Sequence, residues 1–585
     1  MTFLVFIVVV VAVSLLASRK EESSEDYFLA GRKLTWWLIG FSLIASNIST
    51  EHFVGMAGQA FGRVGLAIAS YEWMSAITLV IVAWWLLPKF LRVGIYTMPE
   101  FLEYRYDRAT RSIMAFYLMA LYVIAVLATV LYSGAKGLEG VFSFSDIIAA
   151  RFDVTQEQAM NWSLLIGIWF IGIVAAIYTI YGGLKAVVWS DLIQGAALLI
   201  GGAIVLYLGL KIVGGGKIMD GGGVSGGSML QGWKTFRENN ADKLHVVLPW
   251  NDPDVPWLAV FVGGLWIPNM FYWGLNQFIT QRTLGARSLA EGQKGIYLAC
   301  LFKLVIPFII VIPGIMAFQM FGSDLIARAG GDVSKAGEIA YPHMIAEIMP
   351  AFLRGVMLAA LAGAVMSTFN SGINSAATIF TIDFYDKYLN KNSTAKQQVR
   401  VGRIATAVIA LAACIIAPLP GKFEGVFNYI QEIWGFISPG IVAAFIGGLL
   451  IKRAPAIAGR TVLILGAILY AFCRVPKWVF ESTYVSQNVD GVKTLFHKLG
   501  DGSTGDPVGG FSQALYRFNN IAFLHHMAIV FIILILVMIG ITIVKPRTEP
   551  IKYPTSEIDT TVPLSSYILG SLIILATVVL YIIFW

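Results

Sequence analysis

The sequence predicts an all-α polytopic membrane protein. About 14 transmembrane helices are expected, with a five-plus-five inverted-repeat core whose repeats each begin with a discontinuous helix. Three observations predict it. Of 585 residues, 57% are hydrophobic and only 13% charged, whereas soluble chains carry about a quarter charged residues. Apolar runs long enough to cross a hydrocarbon layer of about 30 Å recur along the whole chain. Two of those runs, five apart in order, are interrupted at mid-depth by polar residues, glycine or proline.

The first run, 2–17, has no basic residue before it, and Arg19 and Lys20 follow it. That order fits a retained helix with its N-terminus outside better than a cleaved signal. Further runs are expected near 35–60, 64–88, 112–135, 162–181, 188–210, 257–279, 295–321, 353–382, 401–418, 424–451, 459–474, 523–544 and 562–584. Basic residues then fall in alternate loops, including Arg32 and Lys33, Arg105, Arg108 and Arg111, Arg282 and Arg287, Lys387, Lys452 and Arg453, and Arg547. The positive-inside rule makes those loops cytoplasmic. It also accounts for the formal net charge of +7 without nucleic acid as a partner. The expected units are 1–34, an extra helix and cytoplasmic loop; 35–211, the first repeat; 212–256, an outer loop; 257–452, the second repeat; and 453–585, further helices with a large outer loop at about 475–522. Residues 213–228 are rich in Gly and Ser, a flexible connection. Cys300, Cys414 and Cys473 have no metal or disulfide spacing and read as packing residues.

Polar residues inside apolar runs point to chemistry, because each ionised group at mid-membrane costs about 2.5–3.5 kcal/mol. The second run carries I-A-S-N-I-S-T-E-H-F-V-G-M, Ile44–Met56. A regular helix would turn several of these side chains toward lipid, whereas an interrupted one can aim them and its free backbone groups into one cavity. Asn47 and Ser49 are expected to hold the break together, and Glu51 has no assigned role. The seventh run contains Pro268, which removes a backbone donor mid-span. Glu72 and Ser75 share a helix face at i, i+3. With Lys303, Asn269 and Gln431 they form a set able to read hydroxyl groups, and Tyr272 and Trp273 offer flat apolar faces. A structural ion pair is the plainer reading of Glu72 and Lys303. The ninth run places Ser367 beside Thr368 among small residues. Two hydroxyls plus carbonyls freed by a nearby break would suit Na⁺, and close helix packing is the plainer reading.

Beside these residues the chain carries motifs that resemble the sodium/solute symporters, most closely the sodium/galactose and sodium/glucose cotransporters. The motifs are E-D-Y-F-L-A-G-R (25–32), G-L-A-I-A-S-Y-E-W-M-S-A-I (65–77), Y-T-I-Y-G-G-L-K-A-V-V-W-S-D-L-I-Q (178–194), Y-W-G-L-N-Q-F-I-T-Q-R-T-L (272–284), N-S-A-A-T-I-F-T-I-D-F-Y (374–385) and F-N-Y-I-Q-E-I-W-G-F-I-S-P-G-I (427–441). The similarity runs from about Glu25 to Ile451. It implies sodium-coupled symport of a neutral, hexose-like sugar, with sodium as the co-transported ion, or in a second reading of a polyol such as myo-inositol. Carried over by position, the sugar would meet His52, Glu72, Ser75, Asn269, Tyr272, Lys303 and Gln431. Tyr272 would be the inner gate, and Met56, Tyr71 and Phe427 the outer one. Sodium would meet the carbonyls of Ala45, Ile48 and Ala364 and the hydroxyls of Ser367 and Thr368. Asp191 matches a position associated with cation passage; a plain helix-end role is the alternative. His52, Thr368 and Pro268 depart from the bacterial galactose-transporter pattern, and the loop at 475–522 is larger than the pattern. The chain would lie in the plasma (inner) membrane, in contact with lipid, as a secondary active transporter and not an enzyme. No obligate protein partner is implied, and no Gly-rich phosphate loop with a following Lys and Ser or Thr is present.

Overall fold

The computed structural model describes residues 2–18, 23–419, 426–489, 492–498, 504–551, 553–556 and 559–585. Among them, eleven helices are long and apolar enough to cross a membrane. The runs expected at 162–181 and 188–210 lie in one helical stretch, Gln156–Val213, whose path breaks at Gly183 with φ 49° and ψ −146°. A Cβ there would fall 2.3 Å from the Tyr27 carbonyl oxygen, so only glycine allows the turn. The first helix, Thr2–Ala17, is 16 residues long. The run expected at 35–60 is divided into Trp36–Asn47, a π-helical stretch Glu51–Met56 and Ala57–Phe61.

Both expected discontinuities are present, and they share one backbone conformation. The first falls at Ile48, with φ −82° and ψ 115°. The second falls at Asn276, with φ −86° and ψ 119°, between the π-helical Phe271–Leu275 and the helix Gln277–Leu284. Proline is therefore not the breaker. Pro268 lies in the first turn of Trp266–Met270, where a missing N–H leaves no helical bond unmade. Asn276 breaks the second helix and caps the next, its side chain accepting from the Phe278 N–H at 3.3 Å.

The broken helices are enclosed by longer ones. Gly195 lets Gln156–Val213 approach Trp36–Asn47 so closely that an added Cβ would lie 3.0 Å from the Ala45 Cβ. The helix Leu289–Arg328 contains Pro307 and Pro313. Pro313 cannot donate to the Ile309 carbonyl, and the Tyr341 hydroxyl donates to it instead at 2.9 Å. Helix Ala351–Ile379 is buried along its length from Met357 and carries Ser367 and Thr368.

The long connecting loops have more structure than their composition implies. The Gly- and Ser-rich segment forms a hairpin pairing Lys217–Ile218 with Val224–Ser225, and Met229–Asn239 is helical. In the 475–522 region, Val485–Val489, Val492–Lys498 and Thr504–Pro507 form an antiparallel sheet over a small core of Leu495, Val508 and Tyr516. The Arg474 guanidinium bonds the Glu432 carboxylate and the Asn519 carbonyl, tying this excursion to the helix Val426–Trp434.

Candidate functional site

The two breaks expose backbone groups that a continuous helix would use. In an unbroken helix the Ala45 carbonyl would accept from the Ser49 N–H, and the Ile48 carbonyl from the His52 N–H. Instead the Ser49 N–H reaches His52 Nδ1 at 3.4 Å, and the His52 N–H bonds the Ser49 carbonyl at 3.0 Å. Both carbonyls thus lose their helical partners. Ala364 differs, since it lies inside a continuous helix. Thr368 and Ser367 face this break. The Thr368 hydroxyl donates to the Ser46 carbonyl at 3.0 Å, and the Ser367 hydroxyl to Asp191 Oδ1 at 2.6 Å.

Asp191 is fully buried, not at a solvated helix end. Its Oδ2 accepts from the Ser42 hydroxyl at 2.5 Å and the Ser46 hydroxyl at 3.2 Å, and lies 3.4 Å from Arg282 Nη2. Arg282 is also fully buried. It donates to Ser42 Oγ at 2.6 Å, to Ser46 and Ser371, and to the Phe278 carbonyl. The charge counted as a loop arginine in the sequence therefore sits in the interior, linking the segments after and before the two breaks. Arg105 and Arg111, counted the same way, are buried too. Arg105 donates to the carbonyls of Gly448, Ile451 and Ala454, and Arg111 pairs with Asp383 at 2.5 Å.

Beside the first break lies a small cavity of about 60 Å³. Its lining includes all seven residues nominated for sugar contact: His52, Glu72, Ser75, Asn269, Tyr272, Lys303 and Gln431. Met56 and Tyr71 of the expected outer gate line it as well; the side chain of Phe427 lies outside the described residues. Lys303 Nζ donates to Glu72 Oε2 at 2.6 Å and to Asn47, and sits 4.6 Å from the centre of the Trp273 ring. His52 Nε2 is 3.7 Å from the other Glu72 oxygen. Asn47 donates to the Tyr272 hydroxyl at 3.2 Å, joining the buried ammonium to the aromatic floor. Ser75 donates to Asn269 Oδ1 at 3.1 Å, while Asn269 Nδ2 is buried with no hydrogen-bond partner among the described residues. Tyr272 packs edge-on against Trp273, Phe278 and Trp434.

Five lining residues were not nominated from sequence as contacts: Asn47, Glu51, Pro268, Ile430 and Trp434. Asn47, expected only to hold the break, is a cavity wall. Its place in the polar run, directly before the break, could have flagged it. Glu51 lines this cavity and a second one with Arg63, Lys136 and Glu338, so it stands between the two.

A family model described as the sodium:solute symporter family matches residues 27–466. A sodium/glucose cotransporter of Vibrio parahaemolyticus is 39% identical over 80% of this chain and 84% of its own length. An uncharacterized symporter of Escherichia coli is 33% identical over 94% of this chain and 85% of its own. A mouse sodium/myo-inositol cotransporter is 30% identical over 77% of this chain, which spans 65% of that relative. Among solved structures, a Na⁺-coupled sialic acid symporter in an outward-open state superposes with TM-score 0.70 at 18% identity, covering 94% of this chain and 98% of its own; it shares the fold.

Proposed function

The chain belongs to the sodium:solute symporter family, a sodium-coupled solute symporter, and on that premise we propose that its solute is a neutral hexose of the glucose and galactose kind. The observation that carries this reading is the chemistry of the cavity. Glu72 can accept two neighbouring hydroxyls, and the unpartnered Asn269 Nδ2 and the Lys303 ammonium can donate to others. Tyr272 and Trp273 supply apolar faces for a ring. A carboxylate solute would meet Glu72 as a like charge, which disfavours it.

The spans at 35–211 and 257–452 act as the two inverted repeats, with the N-terminal helix making about 14 crossings in all. The N-terminus lies outside, in the plasma membrane. The matching backbone at Ile48 and Asn276 supports that symmetry. Sodium enters as substrate between the carbonyls of Ala45, Ile48 and Ala364 and the hydroxyls of Ser367 and Thr368, and leaves past Asp191. Its binding ties helix Ala351–Ile379 to the broken helix and favours the outward-facing arrangement, in which Glu72 and His52 are set for the sugar. The gate of Met56, Tyr71 and Phe427 then closes, and Tyr272 yields to release both. One ion suffices: about 2.3 kcal/mol per 100 mV plus about 1.4 kcal/mol for a tenfold gradient supports accumulation of several hundredfold.

A polyol such as myo-inositol is the second reading, favoured by the inositol-transporting relatives. Competition for uptake of labelled galactose in proteoliposomes decides. Glucose and galactose should compete at lower concentration than myo-inositol or amino acids. If no hexose competes, the sugar reading fails.

A further inference from the structure

Away from the solute cavity, the connection between the helices Phe523–Val544 and Leu564–Ile583 crosses one end of the molecule as a strap. It is pinned at several points. The Arg547 N–H bonds the Arg453 carbonyl at 2.8 Å, and its guanidinium donates to the Arg105 carbonyl at 3.0 Å. Ser556 bonds the carbonyls of Arg92 at 2.7 Å and Leu91 at 2.6 Å. The Tyr553 ring stacks on Phe101 with centres 5.6 Å apart.

Under the strap lies a cavity of about 760 Å³, open to solvent, whose lining brings together Lys89, Arg92, Lys452, Arg453 and Arg547 with the single carboxylate of Glu549. Among the described residues, none of the five cations reaches a carboxylate within ion-pair distance. Lys89 donates to the Trp85 carbonyl at 2.8 Å, and Arg547 to the carbonyls of Arg105 and Glu549. A helix C-terminus is satisfied by a cation or two in its last turn. Five gathered round one cavity exceed that need and repel one another. Close in sequence to the lining residues Leu449 and Arg547, Leu450 is 66% exposed, Ile543 76% and Val544 87%. A cationic pocket opening beside lipid-facing side chains is complementary to an anionic headgroup whose tails stay in the bilayer. Arginine forks and lysine ammonium groups both suit phosphate oxygens.

We propose that this pocket binds a phosphate-bearing anion, and that its source is the headgroup of an anionic phospholipid. The site is independent of which solute the central cavity takes. Its walls are nevertheless the ends of the spans Gly65–Val93 and Ile430–Leu450, which also carry Glu72 and Gln431. A bound headgroup would bridge two elements of the transport site from about 25 Å along the helix, at 1.5 Å per residue from Glu72 to Lys89.

The test is native mass spectrometry of the full chain with equal phosphatidylglycerol and phosphatidylcholine. The wild type should retain phosphatidylglycerol in preference. The variant Arg92→Gln/Lys452→Gln/Arg453→Gln removes three exposed charges and should weaken that retention about tenfold or more, with phosphatidylcholine retention unchanged as the check on folding. A control, Lys396→Gln/Arg400→Gln, removes exposed cations from another helix and should behave as wild type. Equal retention of phosphatidylglycerol by the triple variant and wild type overturns the site. Equal retention of both lipids by wild type, with inorganic phosphate bound by wild type alone, overturns the headgroup as the source.

Discussion

Asn47 is the residue on which two functions of the cavity converge: it accepts from the Lys303 ammonium and donates to the Tyr272 hydroxyl. Asn47→Ala should free the gate tyrosine and leave Lys303 short of a partner. Hydrogen bonds to charged groups contribute about 1.5–3 kcal/mol, so the sugar concentration for half-maximal uptake should rise roughly tenfold or more, read from initial rates. Asp191→Asn should act on stability. It leaves the buried Arg282 without its carboxylate, a loss of roughly 3–5 kcal/mol, and should lower the melting temperature in detergent; adding Arg282→Gln should recover much of it. A melt unchanged in the single variant would remove the pair from the account. The Glu72, Lys303 and Asn269 side of the cavity is legible in the sequence, because polar groups in an apolar run cost free energy and so announce themselves. Arg282 is not. It lies near a span end, where arginine is the ordinary loop residue, and only the break at Asn276 turns it inward.

Among elements, the two broken helices carry the proposed mechanism, and their breaks differ in how they can be read. Ile48 lies within a polar run, so its break is visible from composition. The break at Asn276 follows from a cap and from the Tyr122 hydroxyl that bonds the Asn276 side chain, a long-range contact no local pattern encodes. Pro268 misdirects, since proline in a first turn breaks nothing. Asn276→Ala should cost about 1–2 kcal/mol as a lost cap and lower the melting temperature, while Pro268→Ala should leave it nearly unchanged. The contact joining residue 63 to the loop before Trp257 adds a pH dependence. Burial raises the Asp252 carboxyl, but the Arg63 guanidinium at 2.5 Å and the N–H groups of Asp254 and Val255 outweigh it and hold it below its usual 3.8. A depressed carboxyl contributes stability that is complete above its unfolded value and fades as pH falls through the folded one. Protease resistance of this loop should therefore be flat from pH 8 to 5 and fall below about 4, and Asp252→Asn should show the low-pH behaviour at neutral pH.

For the whole molecule, the proposed ion and solute sites meet at the break near Ile48, but through different residues. Ser367 and Thr368 reach it from one helix; Glu72 and Lys303 line the cavity on its other side. The spans, their polar interruptions and the family pattern were legible because lipid forces apolar length and penalises every exception. The sheet at 485–507 and the strap after Val544 were not, since neither contains a run that lipid would select. Sodium titration of sugar uptake in proteoliposomes tests the claim most directly. Ser367→Ala/Thr368→Val should raise the sodium concentration for half-maximal uptake about tenfold or more. Glu72→Gln should leave that value near wild type and raise the sugar requirement instead. Curves that coincide for all three proteins, or uptake that persists when choline replaces sodium, would contradict it.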